Sequence, residues 1–301
     1  MSTAGTMPLS AFPPTLDSAS VVRSRRSHRT LGAVLAEAQM AEVAAFDVLG
    51  GTAAVFTNRS PHKDTPNEDV AALWPTGPDS GILAVADGLG GHAGGERASR
   101  LAIETIQRSL QAELVPVDGQ PAADRLRGAI LDGIEAANRA VRELGTGAAT
   151  TLALVEIQHR TIRPYHVGDS VILLTGQRGK LKLQTISHSP IGYAVEAGLM
   201  AEEDAIHHEA RHVISNVIGS DEMRIEIGPP TEMAARDTLV LASDGLLDNL
   251  LPNEIVEFVR SGPLDAAVAA MVAEAQRRMA GHDGAAPSKP DDLTVIAYRA
   301  S

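Results

Sequence analysis

Short apolar runs come in consecutive groups along this chain, and the two longest helical patterns lie next to each other instead of between strands. Aliphatic runs bounded by turn formers predict strands at 53–57, 70–74 and 82–86, then at 151–157, 162–167, 171–175, 181–186 and 223–227, and finally at 239–242 and 293–298. Helical periodicity predicts helices at 96–113, 122–144 and 264–279. A parallel sheet needs a crossover helix between successive strands, and this order does not supply one. The expectation is therefore an α+β fold, with two sheets packed together and helices outside. The segment 175–180, Thr-Gly-Gln-Arg-Gly-Lys, reads as a hairpin connection.

The chain has 301 residues, and 44% are hydrophobic, enough to bury a sizeable core. Aromatics are only 3%, so that core must be built from Ala, Val, Ile and Leu. A net charge of −12 argues against nonspecific binding to nucleic acid, which needs phosphates neutralised by Lys and Arg. With no cysteine, disulfides and thiolate chemistry are excluded, and a reducing compartment fits. No uninterrupted apolar stretch approaches the ~20 residues of a membrane span.

The start of the chain differs in composition from the rest. It carries Pro8, Pro13, Pro14 and the basic cluster Arg23, Arg25, Arg26 and Arg29 against a single early acid, Asp17. We read residues 1–50 as an N-terminal tail, partly disordered, preceding one domain over 51–301. An organelle transit peptide shares this composition. Within the tail, Leu, Val, Ala and Phe46 recur at helical spacing over 31–49, which predicts an appended surface helix.

Two of the aliphatic runs end in Asp-Gly, at Asp87-Gly88 and at Asp244-Gly245. Each Asp is placed where a strand leaves the core. Glu68 and Asp69 precede the run at 70–74, Asp291 and Asp292 precede the run at 293–298, and Asp169 lies in a Gly-Asp-Ser turn between two strands. Singly, each is an ordinary cap or turn residue. If the strand ends converge, the cluster repels itself unless a cation neutralises it, and oxygen donors alone favour Mg²⁺ or Mn²⁺ over zinc.

Two other motifs compete for the chemistry. The run Gly88-Leu89-Gly90-Gly91-His92-Ala93 fits the loose dinucleotide pattern, but Asp87 would face the pyrophosphate and no βαβ unit follows. The second is His208-Glu209-Ala210-Arg211-His212, an H-E-x-x-H that binds zinc when both histidines share one helical face. A zinc metallopeptidase is thus one alternative function, with a solvated helix face as the plainer explanation.

Taken in order, these segments resemble the metal-dependent protein serine/threonine phosphatases of type 2C, in their bacterial form. The resemblance runs from about Thr52 to Tyr298 through Asn67-Glu68-Asp69, the Asp87–His92 stretch, Ala149-Thr150-Thr151-Leu152, Val167-Gly168-Asp169-Ser170, His188-Ser189, residues 196–204, Val217-Ile218-Gly219, the Ser243–Asp248 stretch and Asp291-Asp292-Leu293-Thr294. It implies a four-layer α-β-β-α sandwich of two antiparallel sheets flanked by helices. It also implies two Mg²⁺ or Mn²⁺ ions bridged by Asp87, one completed by Asp244 and Asp291, the other by Glu68 and the Gly88 carbonyl. A weaker third ion would be shared by Asp169 and Asp244. On this reading phosphoserine and phosphothreonine are hydrolysed by direct attack of a water bridging the two ions, with Asp87 and Asp244 central to catalysis.

The sequence departs from the family pattern in several places. Where many members have an Arg that holds phosphate, this chain has Asp64, leaving Lys63 and Arg59 nearby as phosphate-binding candidates, and Lys supplies a point charge without the bidentate fork of Arg. Leu89 stands where eukaryotic members have a His, and His92 reads as structural. Ser187 replaces a usual Asp, and Val171 a common Arg. The missing Arg motivates a second alternative, a catalytically inactive binding module of the same fold. The expected partner is a phosphorylated protein, opposite a serine/threonine kinase, with no nucleic acid and no membrane span. The chain is expected to be a cytoplasmic monomer.

Overall fold

The computed structural model describes residues 32–61, 63–90, 94–113, 122–281 and 287–301. The basic stretch up to residue 31, and His92, lie outside the described residues. Two antiparallel sheets form the centre. In the first, the spatial order is β1 (Ala33–Ala36), β4 (Asp69–Pro75), β5 (Ser80–Leu89), β7 (Leu152–Gln158), β8 (Thr161–Val167) and β11 (Glu226–Ile227), with β6 (Ala149–Thr150) on the end of β5 and β12 (Thr231–Glu232) on β8. The second runs β10 (Leu181–Gln184), β9 (Val171–Thr175), β13 (Thr238–Ala242), β14 (Leu293–Ala300), β3 (Gly51–Asn58) and β2 (Ala44–Val48).

Period-two alternation explains the layers. Along β5, Ile82, Ala84 and Ala86 pack with Ile103 and Ile106 of α1 (Gly95–Glu113) and with Ile130 and Ile134 of α2 (Ala122–Glu143). The intervening Leu83 and Val85 belong to the core that also holds Val55, Leu241 and Ile296 of the second sheet. The remaining side is covered by α6 (Pro252–Val259) and α7 (Leu264–Met279), whose Ile255, Val268 and Met271 join that core. Each such aliphatic side chain taken fully from water contributes roughly 1.5–3 kcal/mol. Short helices α3 (Pro190–Glu196) and α4 (Glu202–Ala205) lie between β10 and β11, and α5 (Asp244–Leu247) follows β13 directly.

The appended helix expected at 31–49 is not formed; β1 and β2 stand there instead, β1 on the edge of the first sheet beside β4 and β2 on the edge of the second beside β3. Strands this short satisfy helical spacing by chance, whereas β2 itself alternates, with Ala45 and Asp47 exposed and Phe46 and Val48 turned inward. The turn into β3 has Leu49 at φ 56° and Gly50 at φ 69°, the two positive angles of a tight hairpin. The sheets therefore begin upstream of residue 51. The hairpin expected at 175–180 does join β9 to β10, with the Gly176 amide donating to the Lys180 carbonyl at 2.9 Å.

Candidate metal centre

Sheet register brings the first acids together. Asp69 of β4 is the direct partner of Asp87 of β5, and counting by twos from Leu73 and Leu83 puts both on the inter-sheet face. The strand does not stop at Asp87, as expected from the sequence, but continues to Leu89. Asp87 is clamped by its backbone: its carbonyl accepts from the Thr151 amide at 2.9 Å and the Thr150 hydroxyl at 2.8 Å, and its amide donates to Thr151 Oγ1 at 3.1 Å. Asp69 is fully buried; its Oδ2 accepts from the Ser243 hydroxyl at 2.7 Å, while Oδ1 has no partner among the described residues. Sequence reasoning chose Glu68 from this triplet and passed over Asp69. The signal was available in the alternation, which puts Asp69, not Glu68, in phase with Ala71 and Leu73.

Asp169 lies where the chain leaves the first sheet on β8 for the second on β9. Gly168 takes φ 105°, a value other residues rarely adopt. Its amide donates to His188 Nδ1 at 3.0 Å, and its carbonyl accepts from the His188 amide at 2.8 Å. The Thr151 and Ser170 hydroxyls meet at 2.6 Å, tying this turn to the clamp on Asp87. Asp169 Oδ1 is buried without a partner among the described residues.

On the second sheet Asp244 opens α5 just past β13, and Asp291 precedes the adjacent β14. Asp248 follows Asp244 by four residues, so the helix turns it to the same side. Asp244, Asp248 and Asp291 each offer an oxygen within 4.8 Å of one another, close enough to share an ion. The sequence pattern alone gives Asp248 no role. The Lys289 amine stands among the three, at 3.1, 2.5 and 3.0 Å respectively.

Glu68 and the Gly88 carbonyl meet at the start of α1. A Cβ on Gly95 would collide with both Glu68 Oε1 and the Gly88 carbonyl oxygen, so this glycine keeps open a cradle with two oxygen donors. The Lys63 ammonium bonds the other oxygen of Glu68 and reaches Asp292 Oδ2 at 2.7 Å. Asp64 is exposed, and Arg59, half-buried, follows the end of β3.

Burial raises the carboxyls of Asp87, Asp169, Asp244 and Asp291 above their ordinary range, and their neighbours' negative charges push the same way. For Asp87 those neighbours are Asp69, Asp244, Asp169 and Asp291. A centre of this kind stays protonated or takes up positive charge from outside. Its donor set fits a hard divalent cation: carboxylates from both sheets, a backbone carbonyl and two unpartnered buried oxygens.

The competing motifs do not assemble. His208 caps a 3₁₀ turn at Glu209–His212, where its Nδ1 accepts from the Ala210 amide at 3.1 Å, and both His208 and His212 are exposed. Without an α-helix the two imidazoles lose the one-turn spacing that zinc requires. The antiparallel first sheet likewise offers no βαβ unit for a dinucleotide. One further group, His166, His188 and Glu226, has ligating geometry. However, His188 Nδ1 accepts from Gly168 and from Asn216 Nδ2, so its proton lies on Nε2 and is donated to Glu226 at 2.8 Å. His188 is thereby a brace for the Asp169 turn.

The family described as Protein phosphatase 2C matches residues 58–281. The chain belongs to this family. It is 30% identical over 207 residues to the protein phosphatase PhpP of Streptococcus pneumoniae, a match covering 66% of this chain and 80% of that one. A serine/threonine phosphatase from S. agalactiae superposes with a TM-score of 0.68 at 26% identity, covering 83% of this chain and 99% of that one. The catalytic domain of PstP in complex with two manganese ions gives 0.62 at 26% identity, covering 82% and 96%. The chain is thus a metal-dependent protein serine/threonine phosphatase using Mg²⁺ or Mn²⁺. Neither the zinc peptidase nor the inactive module is supported. Among the described residues no helix is long and apolar enough to cross a membrane.

Proposed function

We propose that two divalent cations would be held here, Asp87 serving both, Asp244 and Asp291 one of them, and Glu68 and the Gly88 carbonyl the other. The observation behind this is the meeting of partly buried carboxylates from both sheets around Asp87, whose own carboxyl is raised by burial and by the charges of Asp69, Asp244, Asp169 and Asp291. When bound, the two ions lower the pKa of a water and offset charge on the phosphoryl oxygens. The protein's own groups do the positioning. Thr150 and Thr151 fix the Asp87 backbone, Ser243 fixes Asp69, and Gly95 keeps the Glu68 cradle clear.

Lys63 is the phosphate-binding group in this reading. Its ammonium is anchored on Asp292 and lies against Glu68, so it presents a point charge beside the centre in place of the usual Arg fork. Arg59, at the end of β3, is the second candidate. The substrate is a protein phosphorylated on serine or threonine by an opposing kinase, and the chain acts as a monomer in the cytoplasm.

Purified protein assayed on a phosphothreonine peptide with Mn²⁺, and again with excess chelator, tests the reading. Turnover that depends on the metal is expected, with Lys63→Ala raising KM more than it lowers kcat. Lys63→Ala kinetics equal to wild type would remove Lys63 from phosphate binding. Light scattering after gel filtration checks the monomer.

A further inference from the structure

Val171 and Ser187, two places where this chain departs from the family pattern, line one cavity. Its volume is about 400 Å³, within the range of sites that hold a small ligand. Val171 opens β9 and Ser187 follows β10, while α3, α4, α5 and the start of α6 supply the other walls. An Arg and an Asp at these two positions would bring charge to the lining. Here both are lost together, and Ile186, Ile191, Val195 and Leu247 join Val171 in an apolar wall. The Ser187 hydroxyl meets that of Ser189 at 2.9 Å, and Ser189 in turn accepts from the Gly192 amide, also at 2.9 Å, which fixes the start of α3. A Cβ on Gly192 would collide with the Ser187 carbonyl, so helix and wall are packed tightly.

The cavity adjoins the metal centre. Asp169 and Asp248 lie on its lining, and Asp248 comes within 4.8 Å of Asp244 and Asp291 through one oxygen of each. A phosphorylated residue bound at the centre therefore has this cavity within reach of its chain neighbours. Charge at the cavity is one-sided. Asp169, Asp248, Glu196 and Glu202 line it, against Arg211, whose guanidinium already donates to the Ile206 carbonyl and lies 3.8 Å from Asp248. Glu196 and Glu202 are exposed and open to pairing. Of the five large apolar side chains exposed among the described residues, four, Leu181, Tyr193, Leu199 and Val213, belong to the segment 181–213 that builds most of these walls. Exposed apolar side chains gathered on one segment mark a surface that meets a partner.

We propose that this cavity is a substrate subsite: it takes a bulky aliphatic side chain that flanks the phosphorylated residue, with a Lys or Arg beside it meeting Glu196 and Glu202. The inference rests on the reading of the centre above and narrows its substrate class. Val171 and Ser187 set the specificity by leaving the lining without charge. A flanking Asp or Glu is disfavoured twice, by the apolar wall and by the acids at its edge.

The test is a set of phosphothreonine peptides with Leu or Gly at each flanking position in turn, and with Arg or Glu beside it. They are assayed in saturating Mn²⁺ on wild type, Val171→Arg, Val195→Trp and the double variant Glu196→Lys, Glu202→Lys. Turnover of p-nitrophenyl phosphate, which has no flanking residues, reports on the centre alone. Each preference is a ratio of kcat/KM values within one variant, so a loss of folded protein cancels. In wild type, Leu at one position is expected to exceed Gly by about tenfold or more, and both Val171→Arg and Val195→Trp to bring that ratio within about twofold. The double variant is expected to reverse a preference of about threefold for Arg over Glu. If p-nitrophenyl phosphate is turned over with metal while wild type treats Leu and Gly peptides alike, the subsite is overturned and the centre stands. A Leu preference untouched by both cavity variants overturns it equally, and an Arg preference unchanged in the double variant overturns the pairing with Glu196 and Glu202. No metal-dependent turnover of either substrate by wild type overturns the reading of the centre, and the subsite with it.

Discussion

The two Asp-Gly pairs look alike in sequence but differ in what neutralises them. Asp87 lies within a continuing strand, held by Thr150 and Thr151, with other acids around it and no ion pair to a cation among the described residues. Asp244 opens a helix and already has Lys289 at 3.1 Å. The glycines serve one purpose in both. A Cβ on Gly88 would run into the Gly95 carbonyl, and one on Gly245 into the Asp292 carbonyl, so each glycine lets a neighbouring backbone pass in contact. Those neighbours bring the next donors, the Glu68 cradle in one case and Asp291 in the other. Asp-Gly is thus an acid plus the gap that admits a second oxygen donor, and of the two copies the Asp244 one has an ion pair to a lysine among the described residues.

The strongest way to break this comparison is to remove each charge. Asp87→Asn and Asp244→Asn are both expected to lose several kcal/mol of transition-state stabilisation, on the order of 10³-fold or more in turnover. Without metal they should diverge. Asp87→Asn relieves a charge that burial and the acids around it disfavour and should melt above wild type in chelator, whereas Asp244→Asn removes a partner of Lys289 and should melt at or below it. Calorimetric melting in chelator decides, and equal shifts would mean that Lys289 does not distinguish the two ends.

Next in size come the glycines. Gly95→Ala and Gly245→Ala should each cost about 1–3 kcal/mol by overpacking against backbone or a fixed carboxylate. Titration with Mn²⁺ separates them. Gly95→Ala is expected to weaken binding on the Glu68 side alone, and Gly245→Ala, which displaces the segment carrying Asp291, to weaken the other ion. Loss of both ions from either variant would show that the halves are not separable.

The parts legible in the sequence are those governed by local pattern. Aliphatic runs ending in acid exposed Asp87 and Asp244, and the grouping of strands excluded a parallel sheet. Of the two carboxylates in Asn67-Glu68-Asp69, period-two alternation already put Asp69 in phase with Ala71 and Leu73, and the β4–β5 register adds that it pairs with Asp87. Asp248 and Lys289 carry no local signal of their own, and only the antiparallel β13–β14 pair brings their segments together. The edge strands β1 and β2 were hidden for a simpler reason: strands of four and five residues are too short to separate period two from helical period.

The pH dependence sharpens the contrast by a smaller amount. Carboxyls raised in the folded protein bind protons more tightly there than in the unfolded chain. Their stabilising contribution is complete below the ordinary carboxylate range, near about 4, and is lost as pH rises through the raised values. Mn²⁺ reverses this by replacing those protons. The gap in melting temperature between metal-saturated and chelated protein should therefore widen as pH rises from the acid side. Asp87→Asn should narrow the widening more than Asp244→Asn does, since Lys289 already opposes the charge at Asp244. A gap independent of pH would show that protons and metal do not compete for these carboxylates.

The smallest expected effect lies outside both ends. His208-Glu209-x-x-His212 is the sharper metal motif by spacing, yet its histidines stand exposed on a 3₁₀ turn, and the ring of His208 does no more than accept from the Ala210 amide. What the Asp-Gly sites have and this motif lacks is a sheet: register brings carboxylates from distant segments to one face, whereas a short exposed turn brings nothing to meet its imidazoles. His208→Ala should change stability by no more than about 0.5 kcal/mol, as surface substitutions do, and leave kcat and Mn²⁺ affinity within about twofold of wild type. A tenfold loss of Mn²⁺ affinity would instead couple this turn to the centre through Arg211, whose guanidinium lies 3.8 Å from Asp248. Arg211→Ala would then reproduce the loss, and the distinction between sheet-borne and turn-borne acids would have to include the segment between β10 and β11.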